Sequence, residues 1–271
     1  MFVLMFLLAS APHRIVSVAP SITEILFALG AGNQVVGVTT YCNYPEAAKA
    51  KPKIGGYTTP SLEAILALRP DQVIMMNNRP DVAQKLRHAG IDVVELQTEN
   101  LAGIYESIQV ISEKIGAPER GRSLIQSIRK QLQEVAEKTN GPPKTKALFV
   151  VGRSPGMIAD LIGVGPGSYL SELIDLAGAE NVLADAAVAY PQLNLEEVIR
   201  RNPDIIIDMG NNEMRTDRQK EAVKQLWRKF PVLRAVQRDA VFPVSADYFV
   251  TPGPRAVDAV REIRRMVDTR R

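Results

Sequence analysis

The strongest constraint on what this chain can fold into is an internal repeat. Ser61-Leu-Glu-Ala-Ile-Leu-Ala-Leu-Arg-Pro-Asp-Gln-Val-Ile74 is echoed 133 residues later by Asn194-Leu-Glu-Glu-Val-Ile-Arg-Arg-Asn-Pro-Asp-Ile-Ile-Ile207. The same offset pairs Glu63 with Glu196, Pro70 with Pro203, Asp71 with Asp204 and, upstream, Tyr57 with Tyr190. A looser echo pairs Gly30-Ala-Gly-Asn33 with Gly178-Ala-Glu-Asn181. Each copy reads as a helix followed by a buried strand. Ser61 and Asn194 are N-cap residue types, Glu63 and Glu196 fall in a first helical turn where the macrodipole favours a carboxylate, and the prolines end the helices. Two copies imply two related lobes, and a cleft between such lobes is the default ligand site.

Hydrophobic patterning extends the unit along the chain. Strands are predicted over 14–19, 35–39, 73–76, 91–96, 147–151, 205–209 and 240–244, alternating with helices over 22–29, 61–68, 81–89, 101–115, 169–177, 195–201 and 219–229, and a last helix from Pro254. Ser21 and Glu24 have the S-x-x-E spacing of a capping box. Residues 117–139 form one long charged helical pattern with an apolar stripe at Leu124, Ile128, Leu132 and Val135, stopped by Asn140-Gly-Pro-Pro143. The expected fold is therefore α/β: two pseudo-symmetric lobes with parallel-type sheets, 12–116 and 141–271, joined by a helix over 117–140, with the ligand cleft between the lobes.

Composition narrows function mainly by exclusion. Of 271 residues, 46% are hydrophobic and 23% charged, the balance of a soluble globular protein. A net charge of +3 gives no basic field, so no nucleic acid partner is expected. Two histidines (His13, His88) and one cysteine (Cys42) exclude an internal disulfide and leave no Cys/His zinc set. His88 is expected at a helix end and Cys42 as a buried, inert thiol. Gly163-Val-Gly-Pro-Gly-Ser168 lacks a P-loop ending and follows no predicted strand, so it is read as a turn capping the Tyr169 helix. Trp227 is read as core, and the arginines of the C-terminus as a solvated helix face.

Residues 1–11, MFVLMFLLASA, are apolar and end in an A-x-A-like site. They are expected to be a secretory signal segment, with a mis-assigned start or an apolar strand as the alternatives. Cys42 lies too far beyond them to be a lipoprotein anchor.

Four tyrosines carry the binding reading. Tyr41, Tyr57, Tyr190 and Tyr248 all fall in loops beside predicted strand ends or helix starts, where open α/β sheets build their crevices. A tyrosine offers a flat apolar face with a polar tip, suited to a large planar ligand. Glu63 and Glu196, one per lobe, would form a two-point electrostatic clamp for a basic partner.

The order and spacing of Arg14-Ile-Val-Ser-Val-Ala-Pro-Ser-Ile-Thr-Glu24, Val38-Thr-Thr-Tyr-Cys-Asn-Tyr-Pro45, Ile54-Gly-Gly-Tyr57, the two repeats and Thr251-Pro-Gly-Pro-Arg255 resemble a periplasmic solute-binding protein of an ABC importer. The class is the one with a single inter-lobe helix, whose members carry cobalamin, haem or iron-siderophores. The cobalamin-binding branch is the nearest match. The resemblance implies a periplasmic monomer with no enzymatic activity and no intrinsic cofactor or metal. It would hold a corrinoid with Tyr41, Tyr57, Tyr190, Asp247 and Tyr248 and dock on an ABC permease through Glu63 and Glu196. It also implies only a small change in lobe angle on binding. Tyrosines stand where that branch usually has tryptophans, Met76 replaces an aromatic, and 153–167 is long for the family. Haem and ferric siderophore therefore remain alternative ligands, and a tetrapyrrole- or metal-handling enzyme on a similar fold is the rival from another class.

Overall fold

The computed structural model describes residues 14–137, 144–210 and 216–269. The expected signal segment, His13, Arg270 and Arg271 lie outside them, as does the end of the predicted linking helix. The chain divides into two units. One holds the chain as far as Gln97 together with Tyr105–Leu124; the other holds Thr98–Ile104 and the chain from Ile125 onward.

In the first unit, β1 (Ile15–Ser17) leads into α1 (Pro20–Ala28), β2 (Val35–Val38), α2 (Glu46–Lys49), α3 (Leu62–Ala67), β3 (Gln72–Met76), α4 (Pro80–His88) and β4 (Asp92–Leu96). The strands pair in the order β2-β1-β3-β4, all parallel. Both sheet faces are covered, so β1 and β3 are near-continuous apolar runs rather than alternating ones. Val16, Ile54, Ile65, Val73 and Met75 form one core beneath α3 and α4.

Next come α5 (Leu101–Lys114) and α6 (Pro118–Ala136), and α6 carries the chain from the first unit into the second. Of its predicted stripe, Ile128, Leu132 and Val135 are buried and Leu124 is half-buried. The second unit runs β5 (Thr145–Gly152), β6 (Leu161–Gly163), α7 (Tyr169–Leu176), β7 (Ala179–Asn181), β8 (Gln192–Leu193), α8 (Leu195–Arg201), β9 (Ile205–Asp208), α9 (Asp217–Arg228), α10 (Arg234–Gln237), β10 (Val241–Pro243), a 3-10 turn at Asp247–Phe249 and α11 (Ala256–Asp268). Its sheet is mixed. The order is β10-β9-β5-β6-β8, with β7 also on β5, and β6 and β8 pair antiparallel.

The repeat becomes the same substructure twice. Taking β7, β5, β9 and β10 alone, the parallel strands follow the order of β2, β1, β3 and β4. The Ser61 side chain caps α3 by accepting from the Ala64 amide, and Asn194 caps α8 by accepting from Glu197. Arg69 and Asn202, each just before the repeated proline, both adopt left-handed φ, +44° and +43°. Gly30 and Gly178 end α1 and α7, each with φ +77°. The repeated aspartates also share a role. Asp71 accepts from the Arg14 amide at 2.7 Å and Asp204 from the Lys146 amide at 3.0 Å, pinning the start of β3 to β1 and of β9 to β5.

Two local expectations are corrected. Ser21 is not the cap of α1: the helix starts at Pro20 behind Ala19, and Ser21 and Glu24 are buried within it. Proline at the first helical position has the right φ and lacks an amide that would go unpaired, so the helix begins earlier than the capping pattern suggests. A capping box does occur at α9, where Thr216 and Gln219 bond each other's backbone. The Gly163–Ser168 stretch does follow a strand, β6, but an antiparallel one. Ser168 caps α7 as expected.

Candidate functional site

In the first unit, Tyr41 and Tyr57 sit on two loops joined by backbone. The Ile54 amide bonds Val38 and the Thr40 amide bonds Gly55, extending β2 past its end. Gly55 has φ +96°, and a Cβ there would lie 2.9 Å from the Thr59 carbonyl. Only glycine allows this tight return, which turns the chain so that Gly56 lies against the Tyr41 ring. Tyr41 is 60% exposed, a large aromatic surface left in solvent. Tyr57 is half-buried, and its burial raises its hydroxyl pKa. Tyr44, three residues beyond Tyr41 and not read as a site residue from the sequence, is also exposed.

In the second unit, Tyr190 lies at the tip of a loop strapped on both sides. The Gly163 amide donates to the Pro191 carbonyl at 2.9 Å, and the Gly165 amide to Ala189 at 2.7 Å. A Cβ on Gly165 would stand 2.2 Å from the Val188 carbonyl. The glycine-rich stretch therefore holds the Tyr190 loop as well as capping α7. The Tyr190 ring remains 52% exposed. Its hydroxyl is pushed up, first by burial and then by the charge of Glu99.

Asp247 and Tyr248 occupy the 3-10 turn before α11. Tyr248 donates its hydroxyl to Glu262, which with burial raises its pKa well above the usual phenol range, burial being the larger cause. Its ring packs on Phe249 at 5.0 Å, and Phe249 meets Phe149 edge-on at 5.5 Å. The Tyr169 hydroxyl donates to the Tyr248 carbonyl at 3.3 Å, and the Tyr169 amide donates to the Glu99 carbonyl. The turn and the Tyr190 loop thus share the Glu99–Tyr169 neighbourhood. Tyr169 was legible only as the first residue of a helix.

Glu63 and Glu196 sit in the first turns of α3 and α8, both exposed. Neither forms an ion pair or side-chain hydrogen bond among the described residues, whereas the adjacent Glu197 bonds both Arg200 and Arg201. Cys42 is buried, with its sulfur 3.1 Å from the hydroxyls of Thr23 and Thr39. His88 is exposed as the last residue of α4.

One buried polar network went unread in the sequence. Arg153 and Asp208, both essentially inaccessible, pair at 3.1 Å. Trp227, fully buried as expected, donates its indole N–H to Asp208 at 2.7 Å, and the Gly210 amide adds a further bond.

Residues 15–248 match the family model described as Periplasmic binding protein. The chain is 31% identical to the vitamin B12-binding protein of Vibrio cholerae serotype O1, over 93% of this chain and 87% of that protein. It is 30% identical to an uncharacterized ABC transporter substrate-binding lipoprotein of Bacillus subtilis, YvrC, over 93% of this chain and 79% of that one. Among solved structures, the periplasmic heme-binding protein RhuT from Roseiflexus sp. RS-1 in apo form superposes with a TM-score of 0.83 at 26% identity, covering 96% of this chain and all of the other. This chain belongs to the periplasmic binding protein family.

Proposed function

We propose that the protein captures a corrinoid, cobalamin, and delivers it to the permease of an ABC importer. The observation that carries this reading is the 31% identity, across nearly the whole chain, to a relative named for vitamin B12 binding. The surfaces support it. Tyr41 and Tyr57 in the first unit and Tyr190 in the second offer exposed or half-buried aromatic faces for a large planar ring, and Asp247 and Tyr248 add polar groups in the second unit. Stacking and apolar contact supply most of the affinity in such a site, and a few polar groups fix orientation.

Haem is the second reading, because RhuT shares the fold at 26% identity. A thermal-shift screen separates the two. Cyanocobalamin should raise the melting temperature in a concentration-dependent way, with haemin and a ferric siderophore doing little. Stabilisation by haemin alone moves the ligand assignment to haem.

Glu63 and Glu196 are proposed as the docking pair. They are matched by the repeat, exposed and, among the described residues, uncommitted to an internal partner, as a clamp for basic permease pockets would be. Reversing both to Lys should abolish transport in a reconstituted system and leave cobalamin affinity intact; a parallel loss of affinity would sink the docking role. We propose that the carrier acts in the periplasm as a monomer that binds its ligand without transforming it, a reading that the match to the Periplasmic binding protein family supports for its place of action.

A further inference from the structure

Resting on the corrinoid reading, we infer that Arg255, with Glu262, is a positioning device that presents Asp247 and Tyr248 to the ligand. Arg255 ends the Thr251-Pro-Gly-Pro-Arg255 segment, which the binding reading leaves without a role. Its Nη1 donates to Asp247 Oδ1 at 2.8 Å, and its guanidinium lies 5.6 Å from the centre of the Tyr248 ring. Its side chain is only 13% exposed, against 45% for Asp247. The cation is the anchored partner and the carboxylate the presented one.

The geometry divides the labour between the two carboxylate oxygens. Oδ1 is held by Arg255, and Oδ2 is left to accept from an amide N–H, the kind of donor a corrin carries at its rim. The flat guanidinium satisfies a carboxylate and covers an aromatic face at once, which a lysine ammonium does less well. Tyr248 is fixed from its other end, its hydroxyl bonded to Glu262 one turn and more into α11. The short turn is therefore gripped from both sides by residues at and within α11. Its own backbone bonds are few, Phe249 amide to Ala246 and Val250 amide to Asp247. Buried Phe249 and the Tyr169 hydroxyl on the Tyr248 carbonyl hold the rest of the turn; without the grip, the ligand would have to order its Asp247 end on binding, and ordering on binding weakens affinity.

The test has two readouts. Without ligand, Arg255→Gln should speed amide hydrogen exchange at Phe249 and Val250 by about tenfold while leaving β5 unchanged. Unchanged exchange at the turn overturns the positioning role. With cyanocobalamin, Arg255→Gln should weaken binding by roughly tenfold, but by less than about twofold when Asp247 is already Asn, and Arg255→Lys should recover part of the loss. An equal loss in both backgrounds means that Arg255 acts independently of Asp247 and overturns the inference. Failure of the wild-type chain to bind cyanocobalamin overturns the ligand reading instead, and the exchange result, which needs no ligand, tells the two failures apart.

Discussion

The two units are built from one plan, and one difference between them falls at the position following the third isoleucine of β9. By the repeat offset, Met75 in β3 corresponds to Asp208 in β9. Both are buried, at 1% and 0% exposure. The first unit fills this place with an apolar side chain in an apolar core. The second puts a carboxylate there and surrounds it with Arg153, Trp227 and the Gly210 amide. Arg153 opens the long stretch that leads into β6, one of the antiparallel strands the first unit lacks. That addition strings Gly163 and Gly165 beneath the Tyr190 loop. The lesson is that one copy kept the simple βα unit, while the other took on extra strands and, at their root, a buried ion pair.

The largest expected effect tests that contrast directly. Asp208→Ala removes the buried carboxylate that pairs with Arg153 and accepts from Trp227, and should lower the stability measured by urea unfolding by about 3–5 kcal/mol. Replacing Arg153 and Asp208 together by Met imitates the apolar solution of the first unit. It should recover roughly half of the loss, the remainder being the indole N–H of Trp227 left unpaired, about 1–3 kcal/mol. A double variant as unstable as Asp208→Ala would mean that the network does more than balance charge.

Next in size are the two loop-holding glycines. Gly55→Ala forces a side chain into a left-handed conformation against the Thr59 carbonyl, and Gly165→Ala drives a Cβ into the Val188 carbonyl. Each should lower stability by about 1–3 kcal/mol and weaken cobalamin binding through Tyr41 and Tyr57 in the first case and Tyr190 in the second. Smaller again, Ser61→Ala and Asn194→Ala should each remove about 1 kcal/mol by chemical denaturation. Near-equal losses are the mark of equivalent caps, and a large disparity would break the equivalence of α3 and α8. The smallest effect is at Asp81, whose carboxyl is drawn down to about 2 from 3.8 by its hydrogen bond to Arg79. A lowered carboxylate pKa stabilises the fold above its unfolded value and loses that contribution as pH falls through the folded one. Asp81→Asn should therefore alter unfolding slightly at neutral pH and lose that difference between about pH 4 and 2. The unit without the buried pair then provides a faint acid response of its own, readable by NMR titration.

Much of the architecture was legible because it was written twice. The caps Ser61 and Asn194, the helix-ending prolines and the strands β3 and β9 each appear at one offset, so local signals of ordinary strength reinforced one another. Short elements without such support went unread: α2 and α10 have four residues each, and β8 has two. Too few residues repeat in them for a period to show. The cap of α1 misled because Ser21 and Glu24 have the right spacing one residue inside the true start. The Arg153–Asp208–Trp227 network had no local trace, its members lying 55 and 19 positions apart; the single hint was an aspartate closing the run Ile205-Ile-Ile-Asp208. Of the candidate site, the tyrosines were visible as loop residues, but what holds them was not. The straps beneath Tyr190, the Glu262 partner of Tyr248 and the Arg255 grip on Asp247 all come from segments distant in sequence or read for another purpose.

The central proposal is that Tyr57 and Tyr190 each contribute to holding a corrinoid. Calorimetric titration of cyanocobalamin into the wild-type chain, Tyr57→Ala and Tyr190→Ala tests it most directly. The account predicts one-to-one binding by the wild type and a clear loss of affinity, roughly tenfold or more, in each variant. No heat with cyanocobalamin while haemin gives a shifted Soret band, or full affinity retained when either tyrosine is removed, would contradict it.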